Sequence, residues 1–255
     1  MDLGIDGKVA LVMGASKGIG FGAAAALARD GAQVAAASRS RERIEAAAAR
    51  IAAEGGGNAR GFAADTDDLE SLPRLVEQVE RSLGPIEILV VNTGGPPLGD
   101  PLGFDHSQWE QAYRSLVLAP LTLIEAVTPG MRASRWGRIV NVTSIATREP
   151  IPGLVLSNSH RLAAVGLFKT LANELARDGV LFNSVAPGRI ATDRIAQFLD
   201  VPLEELAATP QPDIPAGRLG TIDEMGDVIA FLCSQRASYV NGVNLPVDGG
   251  LVRGI

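Results

Sequence analysis

Aromatic side chains are scarce in this 255-residue chain: they fill 4% of positions, and only two are Tyr and two Trp. Because 46% of the residues are nonetheless hydrophobic, the interior has to be built from Ala, Val, Leu and Ile, as in helices packed on a buried parallel sheet. Cysteine is nearly absent as well, and the one present, Cys233, excludes an internal disulfide. Positive charge is in deficit. A net charge of −6 argues against nucleic acid or an anionic membrane as the main partner, while leaving room for a local basic pocket around phosphates. No apolar stretch reads as long enough to cross a bilayer, and Met1-Asp2-Leu3-Gly4-Ile5-Asp6 lacks the basic-then-apolar pattern of a leader, so the cytoplasm is the expected location. Neither an internal repeat nor a metal site is read from the sequence.

What is present is alternation. Apolar runs at Val9 to Met13, Gln33 to Ala37, Arg60 to Ala64, Ile86 to Val91, Arg138 to Val142 and Val180 to Ala186 read as strands. Between them lie helical patterns such as Arg41 to Glu54 and Leu69 to Leu83, and this order predicts an α/β chain with a doubly wound parallel sheet, one domain over residues 1–255. Glu54-Gly55-Gly56-Gly57-Asn58 reads as a turn within that domain. A helix from Ser159 onward places Val165, Phe168, Ala172 and Leu175 on the stripe that meets the sheet. The first strand breaks directly into Gly14-Ala15-Ser16-Lys17-Gly18-Ile19-Gly20, followed by an alanine-rich helix. A strand, a tight glycine turn and a helix N-terminus form a cradle for a diphosphate, because residues without Cβ let the backbone bend and approach the charge.

The Gly-x-x-x-Gly-x-Gly spacing resembles the short-chain dehydrogenase/reductase family. Val91-Asn92-Thr93-Gly94-Gly95 is similar to that family's Asn-Asn-Ala-Gly turn, Asn141-Val142-Thr143-Ser144 to its catalytic-serine strand, and Pro187-Gly188 and Val247-Asp248-Gly249-Gly250 to later landmarks. The closest likeness within the family is to a divergent 3-oxoacyl-acyl-carrier-protein-reductase-like branch. The resemblance implies a Rossmann fold of about seven strands and a nicotinamide cofactor. It places Gly14, Ser16, Lys17, Gly18, Ile19 and Gly20 at the phosphates, Asp65 at the adenine, and Asn92, Gly94, Pro187, Gly188, Ile190 and Thr192 along the rest of the cofactor. Asp65 reads equally as a turn former, Asn92 as a brace for the glycine turn, and Thr192 as a helix cap. The family also implies a homo-oligomer, dimer or tetramer, in which the helix after Ser159 and the one around Trp109 to Met131 pair across a twofold axis. The strand Asn244 to Val247 would pair in the tetramer, with Pro246 suiting an edge.

After the second strand the family uses an acidic residue for the ribose of NAD or a basic one for the extra phosphate of NADP. Here Ser38 and Arg39 stand there, and Arg39 with Lys17 can hold a phosphate, so NADP(H) is expected over NAD(H). The alternative is that Arg39 and Arg41 are solvated residues opening a helix.

At the catalytic centre the family places Tyr-x-x-x-Lys thirteen residues after its serine, and this chain has Ser157 and Arg161 at those positions. A phenol beside a cation is a usable acid, whereas an aliphatic hydroxyl is far weaker and a guanidinium stays protonated. Ser144, Ser157 and Arg161 are the candidate catalytic residues. Ser144 otherwise caps the end of its strand, Ser157 otherwise caps a helix, and Arg161 otherwise makes a structural ion pair. His160 occupies a slot that faces away from the nicotinamide, and His106 lies in a polar helix start. Tyr113 and Tyr239 lie off the catalytic helix, and Leu116 stands where the family has a helix asparagine.

Residues 189–220 hold Ile195, Phe198, Leu199 and Pro202, Pro210, Pro212 and Pro215, which reads as a short helix and a stiff, irregular lid suited to an acyl chain or a protein-bound substrate. Gly153 to Leu156 adds a second apolar wall. Two function classes follow: an NADP(H)-dependent reductase of a small-molecule or acyl-carrier-bound carbonyl such as a 3-oxoacyl thioester, or a weakly active or inactive NADP(H)-binding relative serving as sensor or partner subunit.

Overall fold

The computed structural model describes residues 2–55 and 58–254. Seven parallel strands form one sheet: β1 (Val9–Met13), β2 (Gln33–Ser38), β3 (Ala59–Ala63), β4 (Ile86–Val91), β5 (Gly137–Val142), β6 (Val180–Pro187) and β7 (Asn244–Val247). Their order is β3-β2-β1-β4-β5-β6-β7, so the chain reverses direction of growth between β1 and β4. Ligands of such sheets bind at the carboxyl ends of the strands where the order reverses. Pro246 lies on the edge strand, where its missing N–H costs no ladder bond.

Helices cover both faces. α1 (Gly18–Arg29), α2 (Arg41–Gly55) and α9 (Ile222–Leu232) bury Ala23, Leu27, Ile44, Ile51 and Ile229 against one side. On the other lie α3 (Leu72–Leu83), α4 (His106–Tyr113), α5 (Ala119–Ser134) and α6 (Val155–Leu175), and that core holds Leu75, Val79, Leu123, Val127 and Phe168. Two shorter helices, α7 (Asp193–Leu199) and α8 (Leu203–Ala208), precede α9. The interior is aliphatic and alanine-rich as composition requires, with Phe168 and Phe182 meeting edge to face, ring centroids 5.9 Å apart.

Several expected boundaries move. α3 begins at Leu72 rather than Leu69, because Pro73 suits the first helical turn. α6 begins at Val155, four residues before the expected Ser159, and the buried stripe runs through Leu156, Ser157, Ala164, Phe168 and Ala172, with Ala164 in place of Val165. The turn expected at 54–58 includes positions 56 and 57, which lie outside the described residues. The helix expected around Trp109 to Met131 is α4 and α5 joined by a wide helical turn, Arg114–Leu118, in which the Ala119 N–H bonds to the Arg114 carbonyl. Pro120 follows at once and cannot donate to the Leu116 carbonyl, which favours the wider turn. His106–Ser134 is thereby one continuous helical run, long and apolar enough to cross a membrane, contrary to the reading of short apolar stretches; Leu123, Ile124, Val127 and Met131 fix its inner face in the core.

Candidate functional site

The glycine turn after β1 meets Asn92 after β4, across the point where the sheet order reverses. Gly14 has φ of 63°, and a Cβ there would lie 2.5 Å from the Asn92 carbonyl oxygen; one on Gly20 would lie 2.3 Å from the Gly14 carbonyl oxygen. The glycines are therefore demanded by the packing of the turn itself, and Asn92 braces it, its Nδ2 donating to the Gly14 carbonyl at 3.4 Å. α1 starts from an extended Lys17 with no side-chain cap and no acidic residue in its first turn. Its first amides are left for an outside acceptor.

At the end of β2, the Ser38 hydroxyl is buried and bonded to nothing among the described residues. An orphaned hydroxyl beside the exposed Arg39 fits a ligand with ribose or phosphate oxygens, and with the open α1 amides it makes the crevice fit a dinucleotide. Arg41 pairs within its own helix with Glu45, 3.6 Å away. Asp65 forms the turn read for it, accepting from the Asp67 N–H at 3.1 Å. Lys17 stands exposed at the glycine turn. Its Nζ lies 2.6 Å from Asp193, the first residue of α7, so in this structure it ties the glycine turn to that helix. Thr192 is the N-terminal boundary residue of α7, but its hydroxyl donates to the Ile190 carbonyl at 3.2 Å instead of capping. Ile190 bridges to Gly220, and Gly188 passes so close to Asp248 that a Cβ would lie 2.6 Å from the Asp248 side chain.

The catalytic candidates converge at the end of β5. Ser144 caps the turn Ile145–Thr147, its oxygen accepting from the Ala146 N–H at 3.1 Å. Ser157 is buried inside the first turn of α6, whose boundary residue is Leu154, so Ser157 is not a helix cap. Its oxygen accepts from Arg161 Nε at 3.1 Å. Arg161 also donates to the Val142 carbonyl at 2.8 Å, two residues before Ser144, and forms no ion pair among the described residues. The structural ion pair considered for Arg161 is thus absent. Neither serine hydroxyl donates to a protein acceptor among the described residues, so both protons are available to a ligand. Burial first, and then the positive charge of Arg194, lower the Arg161 guanidinium from 12.5 to about 10. It remains a cation at neutral pH.

The histidines and tyrosines make no hydrogen bond to Ser144, Ser157 or Arg161 among the described residues. His160 Nδ1 donates to the Leu156 carbonyl at 2.7 Å, and its ring leans on Trp109 and Tyr113. Tyr113 is half exposed beside it, Tyr239 is fully exposed, His106 is exposed, and Leu116 is buried.

Residues 189–220 contain two helices rather than one, since Pro202 stands just before α8 and does not end the helical structure. Ile195 and Leu199 pack with Leu206, Ile214 and Leu219 in a small core of their own, so the apolar residues expected to greet an acyl chain are largely used within the segment. Leu156 is likewise buried instead of forming a wall. Phe198 remains on an opening of about 200 Å³ with Leu98, Arg194 and Gln197. Arg194 is the site residue that the sequence reading missed. It donates to the Pro96 carbonyl at 2.9 Å and lies against Gly95, in the loop after β4.

A dinucleotide-type crevice joined to a polar centre at the end of β5 defines a Rossmann-fold oxidoreductase. The family described as enoyl-(acyl carrier protein) reductase matches residues 14–252. The 3-oxoacyl-[acyl-carrier-protein] reductases FabG of Haemophilus influenzae and Aquifex aeolicus are 34% and 35% identical, over 97% and 98% of this chain and 99% and 100% of theirs. L-sorbose reductase from Gluconobacter frateurii, solved with NADPH and L-sorbose, superposes with a TM-score of 0.92 at 30% identity over the whole of both chains. The chain belongs to the short-chain dehydrogenase/reductase family.

Proposed function

We propose that this protein is an NADP(H)-dependent carbonyl reductase, acting on a substrate such as a 3-oxoacyl thioester, with an active centre of Ser144, Ser157 and Arg161 in place of the family's tyrosine and lysine. The observation that carries this reading is the Arg161 guanidinium, half-buried at the end of β5, held by neutral acceptors and paired with no carboxylate among the described residues.

NADPH, held at the glycine turn and Ser38, would supply the hydride for the carbonyl carbon. Negative charge then gathers on the substrate oxygen. Ser144 and Ser157 donate hydrogen bonds to that oxygen, and Arg161 stabilises its charge electrostatically. Arg161 holds its own proton at neutral pH, so solvent water delivers the proton that completes the alcohol. Losing a positioned general acid costs about 10²- to 10⁴-fold, so the reaction is slow or the carbonyl is a reactive one. The α1 amides, Ser38 and Arg39 are the groups we assign to the cofactor phosphates and ribose, with Arg39 favouring NADP(H) over NAD(H).

Residues 189–220 act as the substrate lid in this reading, and the chain works as a homodimer or homotetramer. An open groove of about 710 Å³ between α5 and α6, lined by Leu121, Ile124, Leu171 and Leu175, supports that assembly. The test is NADPH oxidation with a 3-oxoacyl thioester and a panel of other carbonyl compounds, run beside NADPH binding. Turnover that Arg161→Ala removes supports the reductase; tight NADPH binding with no turnover on any carbonyl refutes it in favour of a sensor or partner subunit.

A further inference from the structure

The turn that carries Ser144 is held from outside by the edge of the sheet. Residues Ile145–Thr147 form a tight turn in which the Ser144 carbonyl accepts from Thr147 twice, from its N–H at 3.0 Å and from its hydroxyl at 2.7 Å. With its proton committed to Ser144, the Thr147 oxygen can only accept, and it accepts from Asn244 Nδ2 at 2.8 Å. Asn244 is the first residue of β7, the edge strand. Its Oδ1 lies 3.2 Å from the Thr143 hydroxyl, one residue before Ser144, and its backbone carbonyl accepts from Arg148 Nη2 at 2.9 Å. One side chain thus brackets the serine from both sides.

The direction of these bonds leaves the Asn244 amide one way to stand. A carbonyl only accepts, so the Thr147 proton points to Ser144, and the amide nitrogen rather than its oxygen has to face Thr147. Bonds that run in one direction polarise one another, which strengthens the chain from Asn244 through Thr147 to Ser144. Among the described residues, each side-chain hydrogen bond that leads out of residues 144–149 ends near the C-terminus. Its partner is Asn244 or the amides of Arg253 and Gly254, which donate to Glu149 Oε1 at 2.9 and 3.1 Å. We infer that Asn244 is a positioning residue for Ser144, acting through Thr147 to hold the serine hydroxyl toward the substrate oxygen. This rests on the reductase reading, in which Ser144 donates to that oxygen. Ser144 Oγ is aligned by the Ala146 N–H at 3.1 Å, and Ala146 lies inside the segment that Asn244 closes, so slack at Thr147 becomes slack at the hydroxyl. A misplacement of about 1 Å can cost a reaction about 10²-fold.

The experiment measures NADPH oxidation by the wild type, Asn244→Ala, Thr147→Val and Thr147→Ser. The substrates are acetoacetyl-N-acetylcysteamine, a short 3-oxoacyl thioester, and the same panel of carbonyl compounds. Loss of the amide or of the hydroxyl should lower kcat about 10-fold with the Kd for NADPH unchanged, and Thr147→Ser, which keeps the hydroxyl, should recover most of it. In a Ser144→Ala background, Asn244→Ala should lower kcat by less than about twofold more, because no hydroxyl is left to place. Amide hydrogen exchange reads the same hold without turnover. The Ala146, Thr147 and Arg148 amides should exchange about 3- to 10-fold faster in Asn244→Ala, while the α1 amides keep their rates. An equal loss of kcat with and without Ser144 overturns the inference and leaves the reductase standing, as does an unchanged kcat in both Asn244→Ala and Thr147→Val. Faster exchange throughout the chain also overturns it, by making Asn244 a brace for the whole sheet. If the wild type reduces no carbonyl, the reductase reading falls and exchange alone decides: a quickening confined to the turn upholds the grip of Asn244 on Ser144, and no quickening ends both.

Discussion

Replacing Arg161 with methionine separates a catalytic arginine from a structural one. Holding the guanidinium at about 10 instead of 12.5 corresponds to up to about 3 kcal/mol against the charged folded state at neutral pH, an upper end because part of the group remains open to solvent. Against this stand two hydrogen bonds, from Nε to the Ser157 hydroxyl and from Nη1 to the Val142 carbonyl, each worth about 1.5–3 kcal/mol when the donor is charged. Together the bonds come to about 3–6 kcal/mol and outweigh the burial cost by about 0–3 kcal/mol. Arg161→Met should therefore cost no more than about 3 kcal/mol, a Tm shift of several degrees, while kcat falls about 10²- to 10³-fold, as when an oxyanion partner is removed. Thermal melts and steady-state NADPH oxidation measure both. Stability also has a defined pH dependence. Because the folded value is depressed, the burial penalty is fully present at neutral pH and fades as pH rises through about 10, so the wild type gains on Arg161→Met only above that point. Wild-type activity should fall through the same window as the cation is lost. Unchanged kcat, or a Tm drop large enough to account for the lost activity, would refute the reasoning.

Three further outcomes test the surroundings. Arg39→Ala should lower the ratio of NADPH to NADH affinity by about tenfold, measured by cofactor titration, since one charge-assisted phosphate contact is removed; an unchanged ratio would release Arg39 from the cofactor. Gly20→Ala drives a methyl into the Gly14 carbonyl, 2.3 Å away, and should cost about 1–3 kcal/mol in chemical denaturation together with NADPH affinity. A hydrogen bond from Arg218, then one from the Thr221 N–H, hold the Glu224 carboxyl at about 2, below its usual 4.5. Its stabilisation is complete above 4.5 and lost as pH falls through about 2, so Glu224→Gln should flatten the acid limb of the Tm profile while leaving its alkaline limb alone.

The strands were legible because apolar runs bounded by glycine and polar turns admit little else, and β4 and β7 fall on the expected residues. Helix starts were harder. α6 begins at Leu154-Val155 with no capping side chain, so nothing in the local sequence marks it, and Ser159, the first plausible polar start, lies a turn too late. α8 was hidden because Pro202 reads as a breaker when it stands just before a helix. The glycine turn, Ser38 and the serine-arginine centre could be found by spacing. Arg194 could not, since it belongs to no motif; its one local signal is that Phe198 stands four residues on, where Arg41 and Arg50 have glutamates as partners. The pairing of Lys17 with Asp193 was hidden for a related reason: Asp193 is 176 residues away in the chain, and only the fold brings it to the glycine turn.

A second arginine supplies the contrast that gives Arg161 its meaning. Arg138 is buried outright where Arg161 is partly open, and burial lowers it as well. Three of its donors are engaged, Nε to the Ser234 carbonyl and Nη1 to the Gly137 and Gly179 carbonyls, with its guanidinium 4.5 Å from the Trp136 ring centre. Such an arginine ties β5 to the segments beside it and leaves little to offer a ligand. Arg138→Met should strand buried carbonyls, at about 1–3 kcal/mol for each one left unsatisfied, and lower Tm well beyond the several degrees expected for Arg161→Met. At temperatures where the variant stays folded, NADPH-dependent turnover should be kept. The two substitutions remove the same group from the same sheet strand or the helix over it, so stability should follow one and turnover the other. If both variants lost stability equally, the division between a bracing arginine and a working one would fail, and Arg161 would be no more than a second brace.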